Sequence, residues 1–136
     1  MTSSPAAYAT IKAHFDDMKT APEDFDLIVT GDLGQVGRDL LLQLMREQRM
    51  PLDERLHRDC GLMIYDRERQ DAHAGGSGCG CSASVLCASL LPALQQGDLK
   101  RIIFMATGAL MSVTSSQQGE TIPGIAHAVV LESPKL

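Results

Sequence analysis

Apolar positions along the chain recur with two different periods, and the switching between them predicts the order of elements. Ser4 followed by Pro5 reads as a capped helix start, and Tyr8, Ile11, Phe15 and Met18 follow at helical spacing, predicting an amphipathic helix that ends before Pro22. Leu27, Ile28 and Val29 form a short unbroken run within 25–30, the pattern of a strand covered on both faces. Gly31, Asp32, Leu33 and Gly34 interrupt it. Leu40, Leu41, Leu44 and Met45 then place a second helix over 36–49, closed by Pro51. The charged stretch 52–71 holds one apolar island, Leu62, Met63, Ile64 and Tyr65, which suits either a short strand or a packed loop. Beyond the glycine-rich 74–80, residues Val85, Leu86, Leu90, Leu91 and Leu94 predict a third helix over 82–94. Pro92 in its last turn is expected to bend or end it, with Gly97 as a stop. Segments 101–106 and 126–132 read as strands, and 107–124, rich in Ser, Thr, Gln and Gly, as a long loop.

Helices alternating with strands predict an α/β fold, and 136 residues suit one domain spanning 1–136. Apolar residues at 44% and charged residues at 21% support a real core. A net charge of −5 lacks the basic footprint of a nucleic-acid or anionic-membrane binder, and 4% aromatics without Trp offer no base-stacking platform. The first thirty residues show no basic stretch leading into an apolar one, so no export signal is expected. The uncharged tract 74–97 is too rich in Gly, Ser and Gln, and is broken by Pro92, to read as a membrane span. Cys60, Cys79, Cys81 and Cys87 are therefore expected to be reduced thiols.

Candidate chemistry gathers in two places. His73-Ala-Gly-Gly-Ser-Gly-Cys-Gly-Cys81 precedes a predicted helix, where backbone N–H groups favour an anion and glycines admit a ligand. Its Gly76-x-Gly78-x-Gly80 spacing matches neither nucleotide fingerprint, and the same glycines would serve a tight packed turn. Cys60, His73, Cys79 and Cys81 are a poor zinc set, because C-x-C is shorter than usual and no second pair follows. Cys79 or Cys81 could be an activated nucleophile or an inert thiol, and Cys87 is expected in the core. Asp32 ends a buried strand, where ligand-facing residues of α/β sheets occur, with helix capping as the other reading. His14, His57 and His127 have no partner in the sequence and read as structural or solvated.

Four segments, Asp26-Leu-Ile-Val-Thr-Gly-Asp-Leu-Gly34, Asp59-Cys-Gly-Leu-Met-Ile-Tyr-Asp66, the 73–82 tract and Gln118-Gly-Glu-Thr-Ile-Pro-Gly-Ile-Ala-His127, closely resemble the stage V sporulation protein AD family of spore-forming bacteria. The resemblance runs over about 4–132 and covers the carboxyl-terminal part of the family. It implies the carboxyl-terminal half of a thiolase-like α-β-α-β-α fold, in a truncated protein. It further implies a peripheral protein on the cytoplasmic face of the forespore inner membrane, within a system that moves dipicolinic acid. The expected partners are dipicolinic acid, the other proteins of the dipicolinate channel, and the missing N-terminal half or a second copy. The family's nucleophile lies in its first half, so no catalytic residue, cofactor or metal is expected here, and binding without turnover is the implied role. Half of a thiolase-type acyltransferase is the alternative. By position, Asp32 stands where condensing enzymes carry a histidine or asparagine. Ligand contact is accordingly expected at Asp32, His73, Gly76, Ser77, Gly78, Cys79 and Cys81, with the N–H groups of Gly75, Gly76, Gly78 and Gly80 facing a carboxylate. Asp32 would meet that carboxylate through a cation, a water or a proton.

Overall fold

The structure, a computed structural model, describes residues 3–76, 78–109, 117–119 and 124–135. Helix α1 (Ser4–Met18) leads through a 3-10 turn (Pro22–Asp24) into β1 (Leu27–Thr30), followed by α2 (Gly34–Glu47), β2 (His57–Asp59) and α3 (Cys60–Met63). Next, α4 (Cys81–Val85) continues through a π-helical segment (Leu86–Leu90) into α5 (Leu91–Gln96) as one rod, and β3 (Arg101–Ala109) and β4 (Gly124–Glu132) close the chain. The strands form one sheet in the order β2-β1-β3-β4. β1 runs parallel to β2 and β3, and β4 antiparallel to β3.

Strand side chains alternate between the sheet's two faces, so each face builds its own core. Ile28, Ile103 and Met105 pack against Ala7, Ile11 and Phe15 of α1 and Leu41 and Met45 of α2. Val29, Ile102 and Phe104 pack on the other side against Cys81, Val85, Leu90 and Leu94 of the long rod. The result is helix, sheet, helix, an α/β fold with the predicted strands around Leu27, Ile103 and Val129 in one sheet.

Several sequence expectations change in detail. Ser4 does not cap α1; it is the first helical residue, and its buried hydroxyl donates to the Gly37 carbonyl of α2 at 2.8 Å. Met18 is exposed because the buried face of α1 runs through Ser4, Ala7, Ile11 and Phe15. The island at 62–65 is neither strand nor loop at its start, since α3 covers Cys60–Met63 and the strand lies just before it in the polar His57-Arg58-Asp59. Pro92 does not end the third helix. It sits at the second position of α5, and the preceding turns have widened to π geometry, which relieves the clash of its ring with the carbonyl four residues back. The helix stops at Gly97, left-handed at φ 83°. Cys87 lies on the exposed side of this rod and outside the core. β3 reaches Ala109, and most of the long loop expected over 107–124 lies outside the described residues.

Candidate functional site

The parallel strands β1 and β3 run side by side, and the chain leaves β1 at Gly31 against Thr107, where β3 continues past the end of β1. A Cβ at Gly31 would lie 2.9 Å from the Thr107 nitrogen, so only glycine lets the chain leaving β1 come this close to β3. Asp32 follows, half-buried, and its Oδ1 accepts the Thr107 hydroxyl hydrogen at 2.7 Å. The Asp32 N–H donates back to Thr107 Oγ1 at 3.3 Å. Across the gap, the Gly78 N–H points at Asp32 Oδ2 from 3.4 Å. Asp32 thus bridges Thr107 of β3 and the glycine tract.

The tract itself divides in two. The Gly75 N–H donates to the Ala72 carbonyl at 2.8 Å and the Gly76 N–H to the Gly61 carbonyl at 2.7 Å. Both are spent inside the protein, so the expectation that they face a carboxylate is corrected. A side chain at Gly76 would collide with the Tyr65 ring, and one at Gly61 with the Gly76 carbonyl. Gly78 and Gly80, by contrast, have nothing among the described residues within 4 Å of the position a Cβ would take. Ser77, between the two pairs, lies outside the described residues.

The remaining predicted residues separate by exposure. Cys79 is exposed, and Cys81 is buried with its Sγ 3.8 Å from the Gly31 carbonyl oxygen. Burial, then the charges of Asp32 and Asp59, push the Cys81 thiol up. Burial also pushes Cys60 up to about 12, reinforced by Asp59, Cys81 and Asp32. Both are poor thiolates. His73, left-handed at φ 44°, stands in solvent with Nε2 3.2 Å from Asp71 Oδ1. Among the described residues, no group of three or more His, Cys, Asp or Glu side chains is arranged to hold a metal ion.

Behind Asp32 lies a polar cluster that sequence reasoning missed. Asp59 at the end of β2 accepts hydrogen bonds from the Leu33 N–H at 2.8 Å, the Gly34 N–H at 3.1 Å and the Thr30 hydroxyl at 2.6 Å. The first two are free donors at the start of α2, so the cap of this helix is Asp59, reaching over from the neighbouring strand, and not Asp32. Burial raises the Asp59 carboxyl, opposed by these three donors, with a further push from Asp32. Their signal in the sequence was slight: His57 and Asp59 occupy alternate positions in a charged stretch, and Thr107 opens a polar run.

An apolar pocket of about 280 Å³ opens separately between Met63, Ile64, Ser84, Val85, Ala88 and Ser89. Tyr65 and, on the sheet, Ile125 and Val129 add further exposed apolar surface. Among the described residues, no helix is long and apolar enough to cross a membrane.

Comparison with known proteins gives this geometry a setting. The family model for stage V sporulation protein AD matches residues 1–132. The stage V sporulation protein AD of Bacillus subtilis (strain 168) is 48% identical over 129 residues, a match that covers 95% of this chain and 38% of that relative's length. With a family match over nearly all of its residues and the motifs around Asp32, Asp59 and the glycine tract in place, the chain belongs to the stage V sporulation protein AD family of sporulation proteins.

Proposed function

We propose that the chain binds dipicolinic acid without turning it over, as one wall of a pocket in a thiolase-like protein on the forespore inner membrane. The observation that carries this reading is the open flank at Gly78 and Gly80 beside the Asp32–Thr107 pair. It leaves room for a planar ligand next to a backbone N–H, a hydroxyl and a carboxylate. The raised Cys60 and Cys81 thiols support binding over acyl transfer, since neither supplies a ready nucleophile. Cys79, exposed on the same tract, is the residue an acyltransferase reading would need.

Association with an N-terminal half, with a second copy or with other proteins of the dipicolinate channel belongs to the same proposal. Its support is the exposed apolar surface of Met63, Ile64, Tyr65, Ile125 and Val129. Titration of dipicolinate into the chain, with and without a divalent cation, tests the site. Saturable binding is expected, weakened at least tenfold by Gly80→Val, a position whose Cβ would meet no atom of the described residues within 4 Å; urea unfolding of the variant confirms that it is folded. Equal affinity in that variant would move the site elsewhere, and thioester turnover lost on Cys79→Ser would favour the acyltransferase.

A further inference from the structure

β2 is an edge strand of three residues, yet two of them, His57 and Asp59, are each only 1% exposed. Both face Thr30 of β1, whose Oγ1 lies 2.6 Å from Asp59 Oδ2 and 3.0 Å from His57 Nε2. A hydroxyl has one hydrogen, and a carboxylate can only accept. The Thr30 hydrogen therefore points to Asp59, and the hydrogen between Thr30 and His57 must come from Nε2. His57 is thereby set as the neutral Nε2–H tautomer, with Nδ1 a bare acceptor. That Nδ1 is buried and has no hydrogen-bond partner among the described residues. Burial, with Arg38 of α2 and Arg58 of β2 nearby, holds the imidazole down to about 3, in keeping with a neutral ring.

An orphaned acceptor in a core is a cost that an apolar side chain opposite Ile28 would avoid. What histidine supplies there is one directed N–H. It starts a chain of donors: His57 to Thr30, Thr30 to Asp59, and onto Asp59 from the other side the N–H groups of Leu33 and Gly34. Those two amides flank the first turn of α2 and follow Asp32 directly. Asp59 is further surrounded by the Asp32 carboxylate and the buried thiols of Cys60 and Cys81. We propose that His57 is a positioning residue for the Asp32 loop, acting through Thr30 and Asp59, so that the edge strand sets how the candidate ligand site is presented. The ligand part of this rests on the proposed dipicolinate site; the relay itself does not.

The test reads the relay first without ligand or mutation. Nitrogen-15 spectra of the unmodified chain should show His57 as the neutral Nε2–H tautomer from pH 8 to pH 5. An Nδ1–H tautomer, or a titration at an ordinary histidine midpoint, overturns the proposal. In His57→Phe, amide hydrogen exchange at Leu33 and Gly34 should quicken at least tenfold while the amides of β3 hold their rates. His57→Gln, which keeps a donor near Thr30, should stay within about threefold of the unmodified chain. Unchanged exchange at Leu33 and Gly34 in His57→Phe overturns the proposal, as does equal acceleration in both variants. Dipicolinate affinity should fall at least threefold in His57→Phe and not in His57→Gln, and faster exchange with unchanged affinity overturns the positioning role. If the unmodified chain binds no dipicolinate, the ligand reading fails, and the tautomer and exchange measurements still decide the relay.

Discussion

Gly75 and Gly76 stand only a few residues from Gly78 and Gly80, yet the two pairs do different work. The first pair is wedged against Gly61, Leu62 and Tyr65, with both N–H groups bonded to protein carbonyls. Gly78 and Gly80 have no such neighbour among the described residues. A glycine tract read from sequence suggests one purpose, either a packed turn or a ligand cradle. Here the packed-turn reading holds for the first half, the second half is where a ligand cradle is proposed, and the boundary falls near the Gly78 N–H that faces Asp32.

The cysteines show a second contrast in exposure, and it should give the largest measurable effect. Cys79 and Cys87 are exposed, whereas Cys60 and Cys81 are buried. Raising a thiol from 9.0 to about 12, as for Cys60, cuts its thiolate fraction about a thousandfold. Titration of the native chain with a thiol-disulfide reagent should show Cys79 and Cys87 reacting fast and the buried pair only after unfolding. Equal rates for all would erase the distinction.

Next in size is the packed side. Gly61→Ala would press a methyl group onto the Gly76 carbonyl, a backbone atom that cannot swing away. Urea unfolding should show a loss of roughly 1–3 kcal/mol, the usual cost of overpacking. A loss no larger than a surface change would mean that the two segments are not jammed together.

The buried histidine behind the loop should make stability depend on pH. In the unfolded chain His57 takes up its proton near 6.5, but in the fold only near 3, so its contribution is lost as pH falls through that window. Asp59 acts in the opposite sense. Its carboxyl is raised in the fold, so its contribution is full below 3.8 and is lost as pH rises through the folded value. Between pH 7 and pH 5 the histidine's contribution falls by an amount on the order of 1–2 kcal/mol, which urea unfolding should show. His57→Gln should flatten most of that slope; a slope equal to the unmodified chain's would place the titrating group elsewhere.

The smallest effect belongs to the open side. Gly80 has ordinary negative φ, −97°, and no neighbour among the described residues at its Cβ position, so Gly80→Ala should shift stability by less than about 0.5 kcal/mol. A loss comparable to that of Gly61→Ala would show that Gly80 too is a packing glycine.

What could be read from the sequence follows from which forces act locally. Leu27 to Val29 and the apolar run from Ile102 to Met105 announce themselves as strands because both faces are buried. β2 could not be read this way, since its inward residues are a histidine and an aspartate serving a polar network, and Arg58 between them faces out. Only the partner strand makes His57 and Asp59 intelligible. Asp32 was legible from its place after a buried strand, but Thr107, which fixes it, lies 75 residues on. The division of the glycine tract depends on Tyr65 and Gly61, which no spacing rule connects to it.

The π-helical segment also sets the phase of the long rod. The rod's core contacts fall at Cys81, Val85, Leu90 and Leu94, a step of five between two steps of four. An unbroken α-helix would carry Ser89 into the place that Leu90 fills. The widened turn therefore acts as a phase corrector, absorbing one surplus residue so that two apolar stripes out of step with each other meet the sheet along a single line. Removing one residue within 86–90 would bring the two stripes into step at plain α-helical spacing but would return the Pro92 ring to the carbonyl four residues back, so the widened turn serves the phase of the rod and its proline together.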